Sequence, residues 1–378
     1  MQIYVVKSGD TLNSISAGYG IDMAQVAYAN QIEYPYALAI GQALLIPEDS
    51  GIEREKRQAF VNGYAYPFIE GQILDETLPY LSSLSVFSYG FTEDGSLIPP
   101  ALDDTWMIKR AQDSGVIPIL TLTPLDSEGK FNNGLIHAML SSWQAQQNLI
   151  AQLIDMMQLK GYAGVDIDFE YIFAEDRVAF ADFVSLVQSA AVEYGYTVSV
   201  ALAPKISPDQ KGLLYEGKDY ALLGAAADSV LIMTYEWGYT YGPPMAVAPL
   251  NKVREVVEYA VSVIPSEKID LGIPNYGYDW ALPYERGVTQ AETIGNVEAV
   301  QIAVQYGAEI HFDQVALSPY FRYVNQGVEH EVWFEDVRSM REKFNLVKQY
   351  RLRGMGYWQI MKLFRANWLL LSDTFWIA

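Results

Sequence analysis

Hydrophobic and polar positions follow different spacings on either side of Pro47. Upstream, short apolar runs flank two stretches of helical spacing, and Thr11 precedes Leu12 and Ile15 as a helix-capping residue does. The pattern predicts a strand at residues 3–6, a helix after Thr11, a helix at residues 23–30 and a strand at residues 43–46. This order, β-α-α-β, indicates a small domain.

Downstream, eight apolar segments alternate with amphipathic stretches, a pattern typical of repeated βα units. Before the fourth segment, for example, Leu149, Leu153 and Met157 recur at helical spacing. Eight units in about 320 residues predict the α/β class and a TIM (β/α)8 barrel. A doubly wound open sheet would call for a glycine-rich phosphate turn after an early strand, and none is present. The predicted barrel strands are residues 60–66, 84–91, 116–123, 164–170, 197–203, 230–236, 269–276 and 354–360.

The gap between predicted strands 7 and 8 is too long for one crossover helix. The pattern predicts a helix at residues 297–306 and two strands at 310–323 and 328–334, joined by the hairpin-like turn Asn325-Gln326-Gly327. We therefore expect a small α+β insertion beside the mouth of the barrel. Because charged residues follow Pro47, we predict a domain at 1–48, a linker at 49–58 and the barrel at 59–378.

Composition narrows the possible chemistry. The chain has 25 Lys and Arg against 46 Asp and Glu, a net charge of −21, which disfavours nucleic acid and anionic membranes as partners. It has no Cys, and its three His are far apart, so we expect no disulfide, no metal site and no cofactor. Aromatic residues make up 13% of the chain, which suits a broad sugar-binding surface.

Targeting patterns are absent from the N-terminus. The first residues lack the basic start and apolar run of a signal peptide. No apolar stretch approaches the ~20 residues of a membrane helix. We expect no membrane association, and we expect a monomer.

The predicted fourth barrel strand carries acidic side chains at every second position: Asp166, Asp168 and Glu170. Because side chains alternate along a strand, these three share one face and point into the barrel, while the apolar set packs against the helices. Like charges in a desolvated site raise the pKa of at least one group, so one carboxyl keeps its proton and can serve as a general acid.

Two alternatives to catalysis stay open for the acidic strand. The carboxylates could bind a hard cation such as Mg²⁺ or Ca²⁺. They could also pair with basic residues, for which Lys205, Lys268 and Arg353 are the candidates near other strands. Catalysis is favoured over both, since three acids on one buried face are a poor structural choice.

The N-terminal segment resembles a LysM module, a small binder of N-acetylglucosamine-containing glycans such as peptidoglycan and chitin. The resemblance lies in Val5-Val6-Lys7-Ser8-Gly9-Asp10-Thr11-Leu12 and in Gly41-Gln42-Ala43-Leu44-Leu45-Ile46-Pro47. It implies a glycan groove between the loop at residues 9–12 and the loop at residues 30–33. The implied contacts are Gly9, Asp10, Thr11, Asn30 and Ile32. A turn followed by a helix cap would equally account for Gly9-Asp10-Thr11.

The acidic strand resembles the active-site strand of glycoside hydrolase family 18, Asp-x-x-Asp-x-Asp-x-Glu, with Ala163 in place of the first Asp. Three further strand ends are similar to that family, with Glu236 where the family has Asp. These are Met233-Thr234-Tyr235-Glu236, Gly272-Ile273-Pro274-Asn275-Tyr276-Gly277 and Gly356-Tyr357-Trp358. Four motifs in the family's order are far more specific than any one alone.

The resemblance implies retaining catalysis assisted by the substrate's own 2-acetamido group. Glu170 would be the acid and base, Asp168 would hold the acetamido N–H, and Asp166 would modulate Asp168. Tyr235 would bind the acetamido oxygen. Trp358, Glu236, Tyr276 and Asn275 would bind substrate.

Within the family, residues 62–67 and Trp333-Phe334-Glu335-Asp336 look most like LysM-bearing spore cortex enzymes, which are N-acetylglucosaminidases acting on cortical fragments. Glu335 and Asp336 could instead be acids at a helix N-terminus. The resemblance implies a location in the spore coat or cortex, or in the cell wall. A chitinase and a catalytically inactive glycan-binding protein are the alternatives.

Overall fold

The computed structural model describes residues 1–47, 56–125 and 131–378. Its N-terminal domain has the predicted order β1 (Gln2–Val5), α1 (Leu12–Tyr19), α2 (Met23–Asn30) and β2 (Ala43–Ile46). The two strands pair antiparallel, with Gln2 opposite Ile46. Thr11 caps α1 as predicted, because its side chain accepts a hydrogen bond from the Ser14 N–H. Most of the predicted linker lies outside the described residues.

Eight parallel strands close into a barrel, as predicted. Closure is completed by the pairing of the first and second barrel strands, in which Asn62 lies opposite Ser83. The barrel strands are β3 (Arg57–Ala65), β4 (Ser83–Phe91), β6 (Ile117–Leu122), β7 (Gly164–Ile167), β8 (Thr197–Leu202), β9 (Ser229–Ile232), β10 (Ile269–Pro274) and β16 (Gly354–Trp358). Two short strands, β5 (Leu97–Ile98) and β17 (Phe375–Ile377), extend the sheet.

Helices surround the barrel and connect its strands. They are α3 (Gly71–Thr77), α4 (Thr105–Asp113), α5 (Asn133–Leu140), α6 (Trp143–Lys160), α7 (Arg177–Val192), α8 (Tyr220–Ala226), α9 (Leu250–Val263), α11 (Val337–Gln349) and α12 (Arg365–Thr374). The apolar face of β7 packs outward as expected: the ring of Phe169, just beyond the strand, lies 5.6 Å from that of Phe180 in α7. None of the described helices combines the length and apolar character needed to cross a bilayer.

Six barrel strands are shorter than predicted, and the largest differences, at the ends of β7 and β9, fall on the candidate site. Strand β7 ends at Ile167, so Asp168 and Glu170 lie beyond it. Similarly, β9 ends at Ile232, before Tyr235. Strand ends at the carboxyl edge of a barrel turn into loops, which is where active sites form. Backbone hydrogen bonding to β6 continues for one more residue, because the Asp168 N–H donates to the Leu122 carbonyl oxygen at 2.9 Å. The Asp168 side chain therefore keeps the inward direction that the alternation of side chains predicts.

The predicted insertion lies between β10 and β16 and contains a five-stranded antiparallel sheet beside one helix. The prediction of one strand at residues 310–323 is wrong, because residues 314–317 interrupt it. The predicted hairpin is confirmed: Asn325 pairs with Val328 across a turn with left-handed φ angles of 51° and 83°. The elements are β11 (Gly277–Ala281), β12 (Glu292–Ile294), α10 (Asn296–Tyr306), β13 (His311–Asp313), β14 (Ser318–Asn325) and β15 (Val328–Trp333).

The N-terminal domain packs directly on the insertion and on α12. Ala39 belongs to the apolar core of the insertion, and Leu45 belongs to that of the barrel. The Ile310 N–H donates to the Ile40 carbonyl oxygen at 2.8 Å. Arg365 of α12 donates to the Tyr28 carbonyl oxygen at 2.9 Å, and its guanidinium lies 4.0 Å from the centre of the Tyr28 ring. The two parts therefore have a fixed relative orientation.

Candidate active site

A cleft of about 670 Å³ opens at the carboxyl ends of the barrel strands. Five of the residues predicted for catalysis or substrate binding line it: Asp168, Glu170, Tyr235, Glu236 and Trp358. The sequence reasoning missed most of the remaining wall, which is largely aromatic: Tyr64, Tyr66, Phe87, Phe131, Tyr171, Tyr215, Tyr239 and Tyr278. Alternation along β3 places Tyr64 and Tyr66 on the inward face, so the pattern could have identified these two.

Asp166 does not line the cleft but lies fully buried below it. Its carboxylate accepts hydrogen bonds from the Ser199 hydroxyl at 2.6 Å and from the Tyr64 hydroxyl at 2.9 Å. Burial raises the pKa of Asp166, while these two hydrogen bonds act to lower it. Both oxygens thus have a hydroxyl donor, and these donors favour the ionised form against the effect of burial.

Asp168 and Glu170 share the buried floor of the cleft. Burial raises the pKa of Asp168 well above 3.8, and the negative charges of Glu170 and Asp166 raise it further. Burial also raises the pKa of Glu170 above 4.5. The Oδ1 atom of Asp168 is buried and has no hydrogen-bond partner among the described residues. The pair therefore retains a proton at a pH where exposed carboxyl groups have lost theirs.

Lys218 supplies positive charge beneath this cluster, and the sequence reasoning did not identify it. Its side chain is completely buried, which lowers its pKa, while the negative charges of Asp168, Glu170 and Asp166 act to raise it. The basic partners expected from the sequence are engaged elsewhere. Lys205 and Lys268 donate to backbone carbonyl oxygens, and Arg353 forms an ion pair with Asp270. No periodicity marks Lys218, because it lies on the irregular segment between β8 and α8.

Tyr235 and Trp358 both line the cleft. Burial and the nearby carboxylates raise the pKa of Tyr235 well above 10, so its hydroxyl keeps its proton. That hydroxyl donates to no described residue and can donate to a ligand. The Trp358 ring packs edge-on against Phe87, with ring centres 4.9 Å apart, and also contacts Tyr64 and Tyr66. The indole is thereby held as a firm apolar surface.

Glu236 is held by the insertion. Its carboxylate accepts hydrogen bonds from the Tyr276 hydroxyl and, at 3.0 Å, from the Tyr278 hydroxyl. Its backbone has a φ of 67°, a left-handed conformation that non-glycine residues rarely adopt. Strain of this kind persists where surrounding contacts hold it and is concentrated at functional sites.

Tyr276 and Asn275, predicted as substrate-binding residues, do not line the cleft. Both are buried, and Tyr276 reaches the cleft only through its hydrogen bond to Glu236. The Asn275 amide donates to the carbonyl oxygens of Gln359, at 3.0 Å, and Lys362, at 2.9 Å. These contacts fix the loop after Trp358.

The residues predicted to bind glycan in the N-terminal domain have different surroundings, because only some of them lie at the contact with the insertion. Asn30 and Ile32 line a cavity of about 220 Å³ between this domain and the insertion, whereas Gly9, Asp10 and Thr11 do not. The Asn30 amide is bonded to the backbone of Val26 and Leu45. Asp10 accepts from the Lys7 N–H and the Tyr4 hydroxyl, each at 2.7 Å. The interpretation of Thr11 as a helix cap therefore applies, and its role toward glycan stays a prediction.

The two acids after Phe334 have structural partners. Asp336 caps α11 by accepting from the Arg338 and Ser339 N–H groups. Glu335 is buried and pairs with Lys343 at 2.8 Å. Within the described ranges, no three His, Asp or Glu side chains are grouped so as to hold a metal ion.

Comparison with known families assigns both parts of the chain. Residues 128–362 match the model of glycosyl hydrolases family 18, and residues 4–47 match that of the LysM domain. The first match covers more than half of the chain and includes the cleft residues at the carboxyl ends of β7, β9 and β16. The second includes all five residues predicted to contact glycan.

Individual relatives narrow the assignment. The chain is 39% identical to the cortical fragment-lytic enzyme of Bacillus subtilis strain 168, over 99% of this chain and 98% of that protein. It is 35% identical to the putative sporulation-specific glycosylase YdhD of the same strain, over 98% and 87%. The spore cortex-lytic enzyme SleL of Bacillus megaterium QM B1551 superposes with a TM-score of 0.93, at 33% identity over 100% of this chain and 98% of that chain. The chain belongs to glycosyl hydrolase family 18, carries an N-terminal LysM domain and is closely related to spore cortex-lytic enzymes.

Proposed function

We propose that the protein hydrolyses N-acetylglucosaminyl bonds of peptidoglycan, in the spore cortex or its fragments, with retention of anomeric configuration. The observation that carries this proposal is the convergence of Asp168, Glu170 and Tyr235 on one cleft whose largely aromatic wall includes Trp358. A raised pKa on Glu170 supports its use as a general acid. The close relation to spore cortex-lytic enzymes supports the choice of glycan.

Glu170 donates its proton to the glycosidic oxygen as the bond to the anomeric carbon breaks. The substrate's 2-acetamido carbonyl oxygen attacks that carbon and forms an oxazolinium ring, so no protein nucleophile is needed. Glu170 then removes a proton from the water that opens the ring. The two steps together invert the anomeric carbon twice and retain its configuration.

The remaining polar groups act on the acetamido group. Asp168, as a carboxylate, accepts the acetamido N–H and stabilises the positive charge of the ring. Asp166 supports Asp168 from below, itself held by Tyr64 and Ser199. The Tyr235 hydroxyl donates to the acetamido oxygen and aligns it for attack. Substrates must therefore carry an N-acetyl group on the sugar whose bond is cleaved.

Trp358 and Glu236 complete the sugar site. The Trp358 ring offers an apolar surface for the acetamido methyl group and the sugar face. Glu236 is fixed by Tyr276 and Tyr278 and can accept from sugar hydroxyls. Tyr276 and Asn275 serve as supports of this site, since their own polar atoms bind protein. We place the protein in the spore coat or cortex or in the cell wall, acting as a monomer.

The LysM domain raises the affinity for polymeric glycan. Its contacts with the insertion and α12 hold it in one orientation, so a glycan bound there approaches the barrel from a defined direction. Gly9, Asp10, Thr11, Asn30 and Ile32 remain the proposed glycan contacts. The Asn30 amide and the backbone N–H groups of Asp10, Thr11 and Ile32 are already bonded within the domain, so the proposed contacts use the other atoms of these residues.

Mass spectrometry of products tests the substrate. The purified protein is incubated with chitin oligomers, vegetative peptidoglycan and cortex fragments. We expect products with N-acetylglucosamine at the new reducing end, and the highest rate on cortex fragments. Faster cleavage of chitin oligomers would identify a chitinase, and intact material in all three would indicate a glycan-binding protein.

One variant and a matched control test the role of Glu170. Glu170→Gln keeps the size of the side chain but removes its proton exchange, and we expect kcat to fall at least ~100-fold with little change in binding. Glu175→Gln is the matched control, because Glu175 is exposed on the same connection. Normal turnover of Glu170→Gln would contradict the assignment.

The participation of the acetamido group is tested on the substrate itself. An N-trifluoroacetyl analogue has a less nucleophilic carbonyl oxygen, and we expect it to be cleaved at least tenfold more slowly. Proton NMR at early times should show the β-anomer of the product. The α-anomer as first product would exclude retention.

A further inference from the structure

Lys218 is a buried cation without a direct ionic partner. Its side chain is 0% exposed, and its ammonium donates one hydrogen bond, to the Ala201 carbonyl oxygen at 3.0 Å. It makes no close ion pair with any residue of the described ranges. An ammonium group has three donors and is costly to bury unless negative charge lies nearby. The surroundings of Lys218 must therefore contain that charge.

Strand register locates the ammonium next to the acidic cluster. Ile167 of β7 pairs with Val200 of β8, so Asp168 and Ala201 are neighbours one position further on. The hydrogen bond to Ala201 therefore places the ammonium at the end of β7, on the level of Asp168. Asp168 contributes the largest favourable charge interaction with Lys218, followed by Glu170 and Asp166. The unpartnered Oδ1 of Asp168 lies at the same level.

The other polar groups near the Lys218 ammonium bind backbone carbonyl oxygens. The Lys205 ammonium donates to the Lys218 carbonyl oxygen at 2.9 Å and to the Pro208 carbonyl oxygen at 3.2 Å. The Tyr220 hydroxyl donates to the Ala203 carbonyl oxygen at 2.6 Å. The titratable groups at the ends of the three adjacent strands β7, β8 and β9 are Asp166, Asp168, Glu170, Lys205, Tyr235 and Glu236.

We propose that Lys218 is a positioning residue of the active site: its buried ammonium is the counter-charge that limits Asp166, Asp168 and Glu170 to a single shared proton. This inference rests on the proposed function, in which Glu170 must be protonated while Asp168 is an anion. Without a cation, three buried carboxyl groups would bind a second proton, and Asp168 would be neutral when the oxazolinium ring forms. Lys218 prevents this without touching the substrate, because it lies beneath the cleft wall.

The pH profile of kcat/KM tests the charge of Lys218. In Lys218→Met the carboxyl groups bind protons more tightly, so both limbs of the profile move to higher pH. At the acidic end, activity relative to the variant's own optimum should fall about tenfold more than in the wild-type protein. Lys218→Arg should restore the wild-type position of the limbs. If kcat/KM falls by the same factor at every pH and both limbs stay in place, the role of Lys218 is purely structural and the proposal is overturned.

Lys205→Met is the matched control. It removes another buried lysine from the same segment, but one whose acidic electrostatic partners are Asp219, Asp209 and Glu216 instead of the three carboxyl groups of the cleft. We expect it to lose stability without moving the limbs of the profile. If Lys205→Met moves the limbs of the pH profile as far as Lys218→Met does, the proposal that Lys218 is the counter-charge is overturned.

Unfolding in urea gives a readout that does not depend on activity. Asp168→Asn removes the carboxylate that interacts most strongly with the Lys218 ammonium. Lys218→Met should therefore destabilise the protein less in that background than in the wild type. If Lys218→Met fails to fold alone, the double variant should fold. Additive losses, or a double variant that is also unfolded, would overturn the proposal. A wild-type protein without hydrolytic activity would refute the proposed function, while this cycle would still decide the charge pairing.

Discussion

Gly41 gives a stringent test of how the LysM domain is attached. It lies at the contact with the insertion, with a φ of 82°, and a Cβ atom there would lie 1.8 Å from the Ile310 carbonyl oxygen. No side-chain rotation can relieve this contact, because both partners are backbone. In Gly41→Ala the two backbones must separate, and the hydrogen bond from the Ile310 N–H to the Ile40 carbonyl oxygen is lost with them.

The size of the effect follows from two contributions. An alanine in the left-handed conformation costs ~1–2 kcal/mol relative to glycine. Separation adds about 1 kcal/mol for each lost hydrogen bond, here those to Ile40 and from Arg338 to the Gly41 carbonyl oxygen. We therefore expect Gly41→Ala to lower the free energy of unfolding by ~3–4 kcal/mol.

Gly9→Ala separates these contributions. Gly9 has a nearly identical φ of 86°, but a Cβ atom there would meet nothing within 4 Å. It should lose only the conformational part, ~1–2 kcal/mol. Urea unfolding of both variants measures the difference, and limited proteolysis reports whether the domain has been released. Equal losses in the two variants would refute the fixed attachment.

Three further predictions concern buried polar groups. Tyr64→Phe removes the 2.9 Å hydrogen bond to Asp166 and should lower kcat about tenfold, as steady-state kinetics would show; unchanged kcat would exclude a role for this bond. Lys343→Met leaves Glu335 buried without its partner and should cost ~3–5 kcal/mol in urea unfolding, which the double variant with Glu335→Met should largely recover. Burial raises the pKa of Asp270 from 3.8 to about 6, so the folded state binds its proton more tightly and loses stability as the pH rises between these values. Subtracting the stability profile of Asp270→Asn from that of the wild type should isolate this decline, and a flat difference would contradict it.

The sequence predicts the barrel and the acidic face well because both follow from local periodicity. Alternation along the chain places Asp166, Asp168 and Glu170 on one side, and the structure keeps them there although β7 ends at Ile167. Strand ends are harder to predict, since they depend on when neighbouring strands diverge. The single strand expected at residues 310–323 fails for the same reason.

Contacts between distant segments were beyond the reach of sequence patterns. Lys218 lies about fifty residues after the acidic strand on a segment without periodicity, so no spacing relates it to Asp168. Asn275 follows a recognisable motif, but which atoms its amide bonds depends on the loop after Trp358. Likewise, the positions of Asn30 and Ile32 beside the insertion follow from how two domains pack, and neither domain's own pattern encodes this.

The sharing of Ala39 and Leu45 with the cores of the insertion and the barrel makes folding of the two parts interdependent. Deleting residues 1–47 would expose apolar surface on the insertion and α12 that is now covered, so it would weaken the catalytic part as well as remove a glycan-binding part. Heat or urea should unfold the chain in one transition. A loss of activity after such a deletion would therefore report stability and glycan binding together, and point substitutions in the LysM loops are needed to tell them apart.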